Sequence, residues 1–228
     1  LLLTQMGMDH AWIPHQAVAT SLATVVATGA VSAWSHHRRG AVRWALFARL
    51  AVAMLLGAWM SARFAGSLSG DWLQRLFGLF LLYNGFRMLR AASVVAERPL
   101  PGFWGLGAAG TGFGALSALF GIGGGVLVVP FLARHGVRMQ QAVATASACG
   151  VPMALVGSLG FLLSGWGREG LPEGSLGFIY WPAALAIMLT SLPAATLGVR
   201  LAHRLDTRML KRVFGVYLLI AGGVLLLQ

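Results

Sequence analysis

The sequence predicts an all-α polytopic membrane protein made of two helical repeats of inverted topology. Three observations carry that reading. The 228-residue chain is 57% hydrophobic and only 10% charged, so it holds more apolar surface than one water-soluble core could hide. Its apolar runs are close to the ~20 residues a helix needs to cross a bilayer. The pentapeptide QAVAT occurs twice inside such runs, at 16–20 and 141–145, and self-similarity of this kind is the mark of a repeated design.

Seven runs bounded by loop signals follow in order: 14–34, 44–66, 72–90, 103–133, 139–164, 178–203 and 208–227. The first carries QAVATS near its start and ends at the basic loop HHRRGAVR, 36–43. The second holds Arg49 about five residues inside, near enough to snorkel to the interface. The third is the weakest, because residues 76–86 alone separate Arg75 from Arg87, and its support is the repeat. RLFGLFLL at 75–82 answers RVFGVYLL at 212–219, and Arg63 answers Arg200, both 137 residues on. The QAVAT copies are 125 residues apart, and the longer loop GWGREGLPEGSLG, 165–177, takes up the difference. The chain therefore divides into a first membrane repeat over 1–90, a cytoplasmic linker over 91–102 and a second membrane repeat over 103–228.

Loop charge orients the halves. Asp9 marks an acidic start, 36–43 and the linker are basic, RHGVR at 134–138 is basic, GREGLPEG is acidic, and RLAHRLDTRMLKR at 200–212 is strongly basic. Equivalent loops mostly differ in sign, so under the positive-inside tendency the halves insert upside down relative to each other; the corner from Arg63 to Arg75 fits less well. Both flanks of the run 103–133 are then cytoplasmic, yet its 31 residues reach only ~46 Å as helix, short of the ~60 Å of two crossings. A broken or re-entrant hairpin follows, with its turn near Gly121 to Gly125. Such backbone survives at membrane depth only when buried in protein or lining a wet cavity. An equivalent hairpin is expected before the first QAVAT, where LLLTQMG supplies only a tail, and Leu1 stands in mid-run without an initiator Met. The natural protein is therefore expected to begin further upstream.

Within this frame LFGIGGGVLVVP, 119–130, is the most informative stretch. Gly121, Gly123, Gly124 and Gly125 are poor for a continuous helix, and Pro130 removes a further donor. An opened turn there presents N–H groups at the start of a short helix, where hydrogen bonding and the helix dipole favour an anion. Close helix packing competes with this, since Gly121 and Gly125, like Gly110 and Gly114, satisfy GxxxG. In the QAVAT copies Thr20, Ser21, Thr145 and Ser147 offer hydroxyls and Gln16 and Gln141 offer amides, all without permanent charge. Interhelical hydrogen bonding is the competing role. Asn84 is an uncharged polar group inside a span, suited to a pathway or to packing.

The same residues narrow the function. The +11 net charge sits in short clusters between apolar runs, so nucleic acid is not the expected partner. Cys149 stands alone, which leaves no disulfide or thiolate cage within a chain. The six histidines fall in loops or near interfaces without HExxH, so no metal and no cofactor is expected. The six Asp and Glu lie in or near loops, which argues against an intramembrane carboxylate relay. A P-loop is excluded because no GK[ST] closes the glycines.

With LFGIGGGVLVVPFL followed by QAVATAS, and a second QAVATS, the chain resembles the TauE/SafE family of sulfite and sulfonate exporters, the toluene-sulfonate uptake permease group, over nearly its whole length. The resemblance implies a polytopic inner-membrane carrier of small sulfur-containing or organic anions. It carries over to Gly121, Gly123, Gly124, Gly125 and Pro130, with Thr20, Ser21 and Thr145. Ala146 departs from it, standing where the second AT[S] would have its Ser, although Ser147 follows. The expectation is a secondary anion transporter working by alternating access, an exporter by resemblance. It is not expected to be an enzyme, and its partners are a small anion and membrane lipid, with a homo-oligomer left open. The alternatives are a passive anion channel and, with less support, a membrane-embedded enzyme.

Overall fold

The computed structural model describes residues 13–64, 70–90, 99–120, 124–168 and 170–227. Among them eight helices run in chain order: α1 (Ile13–His37), α2 (Trp44–Phe64), α3 (Gly70–Arg90), α4 (Phe103–Phe120), α5 (Gly125–Arg134), α6 (Met139–Ser164), α7 (Trp181–Arg204) and α8 (Thr207–Leu227). In lipid every backbone N–H and C=O must find its partner within the protein, and the helix meets that demand inside one segment. α1, α6 and α7 are long and apolar enough to cross a bilayer. Large apolar side chains such as Leu56, Leu163, Leu189 and Ile220 face outward. That outer surface is the one a bilayer covers.

The bounds follow the sequence closely, with one difference. The apolar residues from 178 onward do not begin a helix. Ser175–Leu176 (β1) and Ile179–Tyr180 (β2) pair antiparallel as a short hairpin, and α7 starts at Trp181 with Pro182 in its first turn. Pro fits there because the first N–H groups of a helix lack internal partners in any case. At the opposite end of the bundle two glycines turn the chain. Gly40 has φ 64° and Gly136 φ 77°. The following amides, of Ala41 and Val137, reach back to the carbonyls of His36 and Leu132, both at 3.1 Å. This is the left-handed C-terminal cap that only glycine adopts without a Cβ penalty.

The helices pack in matched pairs. α1 and α6 run antiparallel, since a Cβ on Gly157 would meet Leu22 and one on Gly29 would meet Val151, while Ser32 reaches Ser147 at 3.4 Å. α3 and α8 are also antiparallel. A Cβ on Gly85 would lie 2.8 Å from the Gly215 carbonyl and one on Gly222 2.9 Å from that of Gly78. α2 lies parallel to α4. There Gly110 faces Leu50 and Ala53, Gly114 faces the Met54 backbone, and Gly57 faces Thr111. Gly110 and Gly114 thus serve the close packing that their GxxxG spacing allows. The main core joins these elements through Leu50, Met54, Leu106, Leu127, Leu132, Met139, Met153 and Leu218.

The run 103–133 is broken as its length requires. α4 ends at Phe120, α5 begins at Gly125 and returns along α6, and a Cβ on Gly150 would lie 3.6 Å from the Gly124 nitrogen. Gly150 is about 11 residues into α6, ~16 Å from its start, so the head of α5 lies near the middle of a ~30 Å hydrocarbon core. Gly121 and Gly123, the leading segment with LLLTQMG and most of the linker fall outside the described residues.

Candidate functional site

The start of α5 is the first part of the site. Gly124 caps the helix in αR geometry without a side-chain hydrogen bond, and its carbonyl accepts the Val128 amide at 3.0 Å. The first four amides of any α-helix have no acceptor within it. The first of them, that of Gly124, lies beside Gly150, and the Cε of Met54 lies 2.5 Å from a Cβ placed on Gly124. A Cβ on Gly125 would meet no described atom within 4 Å. Pro130, buried inside α5, leaves the Val126 carbonyl without its helical donor. A helix start of this kind offers an anion backbone dipoles and N–H groups rather than a fixed charge.

The two threonines sit elsewhere. Thr20 is nearly buried, and its Oγ1 accepts the backbone N–H of Tyr180 at 3.1 Å. Thr145 is fully buried, and its Oγ1 accepts the N–H of Arg43 at 3.1 Å. Tyr180 caps α7, and Arg43 precedes α2 and accepts the amides of Leu46 and Phe47. Leu22 lies across from Gly157 and Ser32 across from Ser147, so Thr20 and Thr145 are about 14 residues, or ~21 Å, apart along the α1–α6 pair. One sulfite-sized ion does not span both in this conformation.

The remaining sequence candidates are dispersed. Gln16 is buried and donates from Nε2 to Ser175 Oγ at 2.8 Å, while its Oε1 is buried without a partner among the described residues. Gln141 lies half-buried in the first turn of α6. Ser21 is half-buried on α1, and its carbonyl accepts the Thr24 hydroxyl at 2.7 Å. Ser147 is the acceptor for Ser32, a bond between helices. Asn84 donates to the Phe80 carbonyl of its own helix at 2.8 Å. Arg49 is exposed on α2, as snorkelling requires.

One contact has no forerunner in the sequence reading. His36, buried at the end of α1, lies 3.0 Å through Nδ1 from Nε2 of His203 at the end of α7. Both residues belong to basic stretches that read as loop, and nothing in their spacing links them. His135 likewise bonds a backbone carbonyl, that of Phe131 at 2.8 Å. Among the described residues no three of His, Cys, Asp or Glu come together.

Long apolar helices with a hairpin broken inside the bundle make this a helical membrane protein, the architecture on which secondary transporters are built. The chain belongs to the sulfite exporter TauE/SafE family, whose model matches residues 1–225. A probable membrane transporter protein of Haemophilus influenzae is 32% identical over 226 residues, covering 97% of this chain and 84% of the relative. A protein of the same description from Xylella fastidiosa is 30% identical over 224 residues, 95% of this chain and 80% of the relative. The probable inner membrane transporter protein TsaS of Comamonas testosteroni is 31% identical over 192 residues, 82% and 73% of the two chains. No solved structure matches.

Proposed function

We propose that the protein is a multi-pass secondary transporter of the bacterial inner membrane that exports small sulfur-containing or organic anions of the sulfite and sulfonate kind by alternating access, and that it is not an enzyme. The family description supports the substrate class and the direction, and the relative TsaS is itself named an inner membrane transporter. The observation that carries the reading is the head of α5, where Gly124 stands beside Gly150 and a Cβ on Gly125 would meet no described atom within 4 Å. Gly124 and Gly125 are the anion donors in this reading, and Gly121 and Gly123 continue the same turn in sequence.

The antiparallel pairs favour inverted halves. Gly78 and Gly215 are 137 residues apart, as are Gly85 and Gly222, so the two close approaches in α3–α8 exchange when the halves are exchanged. Leu22 against Gly157 and Ser32 against Ser147 exchange in the same way at the QAVAT spacing of 125. The basic ends of α1, α7 and α8 lie in the cytoplasm, and the partners are the anion and lipid.

The test is flux of labelled sulfite, sulfate and an organosulfonate into sealed proteoliposomes, with Gly125→Ala alongside the parent. Gly125 has helical φ and no described neighbour at its Cβ position, so alanine leaves the fold intact and places a methyl where the anion would sit. Saturable sulfite or sulfonate flux is expected, with KM raised at least about tenfold in Gly125→Ala, the effect of losing roughly one hydrogen bond to a charged group. Absence of flux for all three anions in vesicles holding folded protein removes the substrate class. Flux that rises linearly without saturation identifies a channel instead.

A further inference from the structure

Each QAVAT copy grips the other half of the molecule. Thr20 of α1 holds the amide of Tyr180, the residue before α7, and Thr145 of α6 holds the amide of Arg43, the residue before α2. Thr20 and Thr145 are equivalent at the 125-residue spacing, and Tyr180 and Arg43 at the 137-residue spacing. The apolar surroundings repeat the exchange. Ala19 and Ala23 pack with Phe178 and Ile179 in one cluster, while Ala144 and Ala148 pack with Ala41 and Val42 in another. Every member of the first cluster has its counterpart in the second at the same two spacings.

These two seams lie at opposite ends of the α1–α6 pair, on either side of the level where α5 begins. Both are shut: Ala19 and Ala144 are each 0% exposed. Two equivalent closures flanking a mid-depth site match what a carrier that opens to one side at a time requires. Their identity in form matters because two-state elements of equal construction are the ones a small bias can tip either way.

We propose that Thr20 and Thr145 are positioning residues of an outer and an inner gate, acting through the amides of Tyr180 and Arg43, and that the two seams open in alternation. The proposal rests on the transporter reading and on the orientation given above. Replacing either hydroxyl by a methyl removes the side-chain acceptor of a part-buried N–H and favours the state in which that seam is open and its amide hydrated. Because the states exclude each other, the opposite seam is then held shut more of the time.

The experiment uses the full chain with Cys149→Ala, carrying Ala19→Cys or Ala144→Cys as a reporter, in oriented vesicles treated with a membrane-impermeant maleimide from either face and without any anion. Thr20→Val is expected to raise labelling of Ala19→Cys from the outer face and to lower labelling of Ala144→Cys from the inner face. Thr145→Val is expected to do the reverse, each ratio shifting about 5- to 150-fold, the usual range of coupling between two states. Thr20→Ser and Thr145→Ser keep the acceptor oxygen and are expected to restore the parent ratio. Parallel increases at both reporters would show a brace whose loss loosens the whole bundle, and unchanged labelling would show no gate; either result overturns the proposal. Since no anion is present, failure of sulfite flux in the previous test leaves this outcome independent.

Discussion

Alanine substitution along α4 should change the sign of its effect within one turn of helix. Gly114 and Gly112 are two residues apart, but a Cβ on Gly114 would fall on the Met54 backbone carbonyl of α2, whereas one on Gly112 meets no described atom within 4 Å. No side-chain rotation relieves a methyl against backbone, so Gly114→Ala forces α2 and α4 apart. Overpacking of this kind costs about 1–3 kcal/mol. Separation by 0.5–1 Å also forfeits about a quarter to a half of each dispersion contact along the seam. Alanine returns about 0.5–1 kcal/mol of helix propensity, which leaves Gly114→Ala about 1–2 kcal/mol less stable. Gly112→Ala keeps the propensity gain alone, about 0.5–1 kcal/mol. The two variants should differ by roughly 1.5–3 kcal/mol, or about 3–12 °C in midpoint for a chain of this size. Thermal unfolding of both in one detergent, followed by tryptophan fluorescence, reads the difference directly. Equal shifts, or a larger loss in Gly112→Ala, would refute the placement of α4 against α2.

Three further outcomes are expected. His36→Leu strands the His203 ring and should cost about 1–3 kcal/mol, while His36→Leu with His203→Leu should cost less than the sum of the singles in a double-mutant cycle. Cys149 is fully buried in α6, so maleimide should leave it unmodified in the folded protein and label it stoichiometrically after denaturation; labelling under native conditions would contradict that burial. Asn84 already bonds the Phe80 carbonyl, so Asn84→Leu should leave sulfite KM within about twofold of the parent, and a larger change would place its amide on the pathway.

The spans were legible because lipid imposes a length on every apolar run, and α1 to α8 fall where those runs lie. The break before Gly125 was legible for the same reason, since 103–133 is too long for one crossing and too short for two. The hairpin at 175–180 was not, because Phe178, Ile179 and Tyr180 merely lengthen an apolar run that continues into α7, and no periodicity separates two-residue strands from a helix start. The repeated threonines were legible as polar groups with a shared task, but a hydroxyl serves an anion and a backbone amide equally well. Which it serves depends on partners 102 and 160 residues away, Arg43 and Tyr180. The imidazole pair has the same cause, its members being 167 residues apart in stretches whose charge reads as solvent-facing.

The crossed grip of the threonines also sets an order of events during synthesis. When Thr145 emerges, Arg43 has long been made, so the contact between them can close at once. Thr20 must wait for Tyr180, which follows 160 residues later, roughly 8–32 s at about 5–20 residues per second. Through that interval Gln16 and Thr20 lack the partners Ser175 and Tyr180, and only the last third of the chain brings the hairpin that supplies them. Truncations or insertion defects in α6, α7 or the 165–180 segment should therefore expose α1 to membrane quality control, even though none of its own residues has changed.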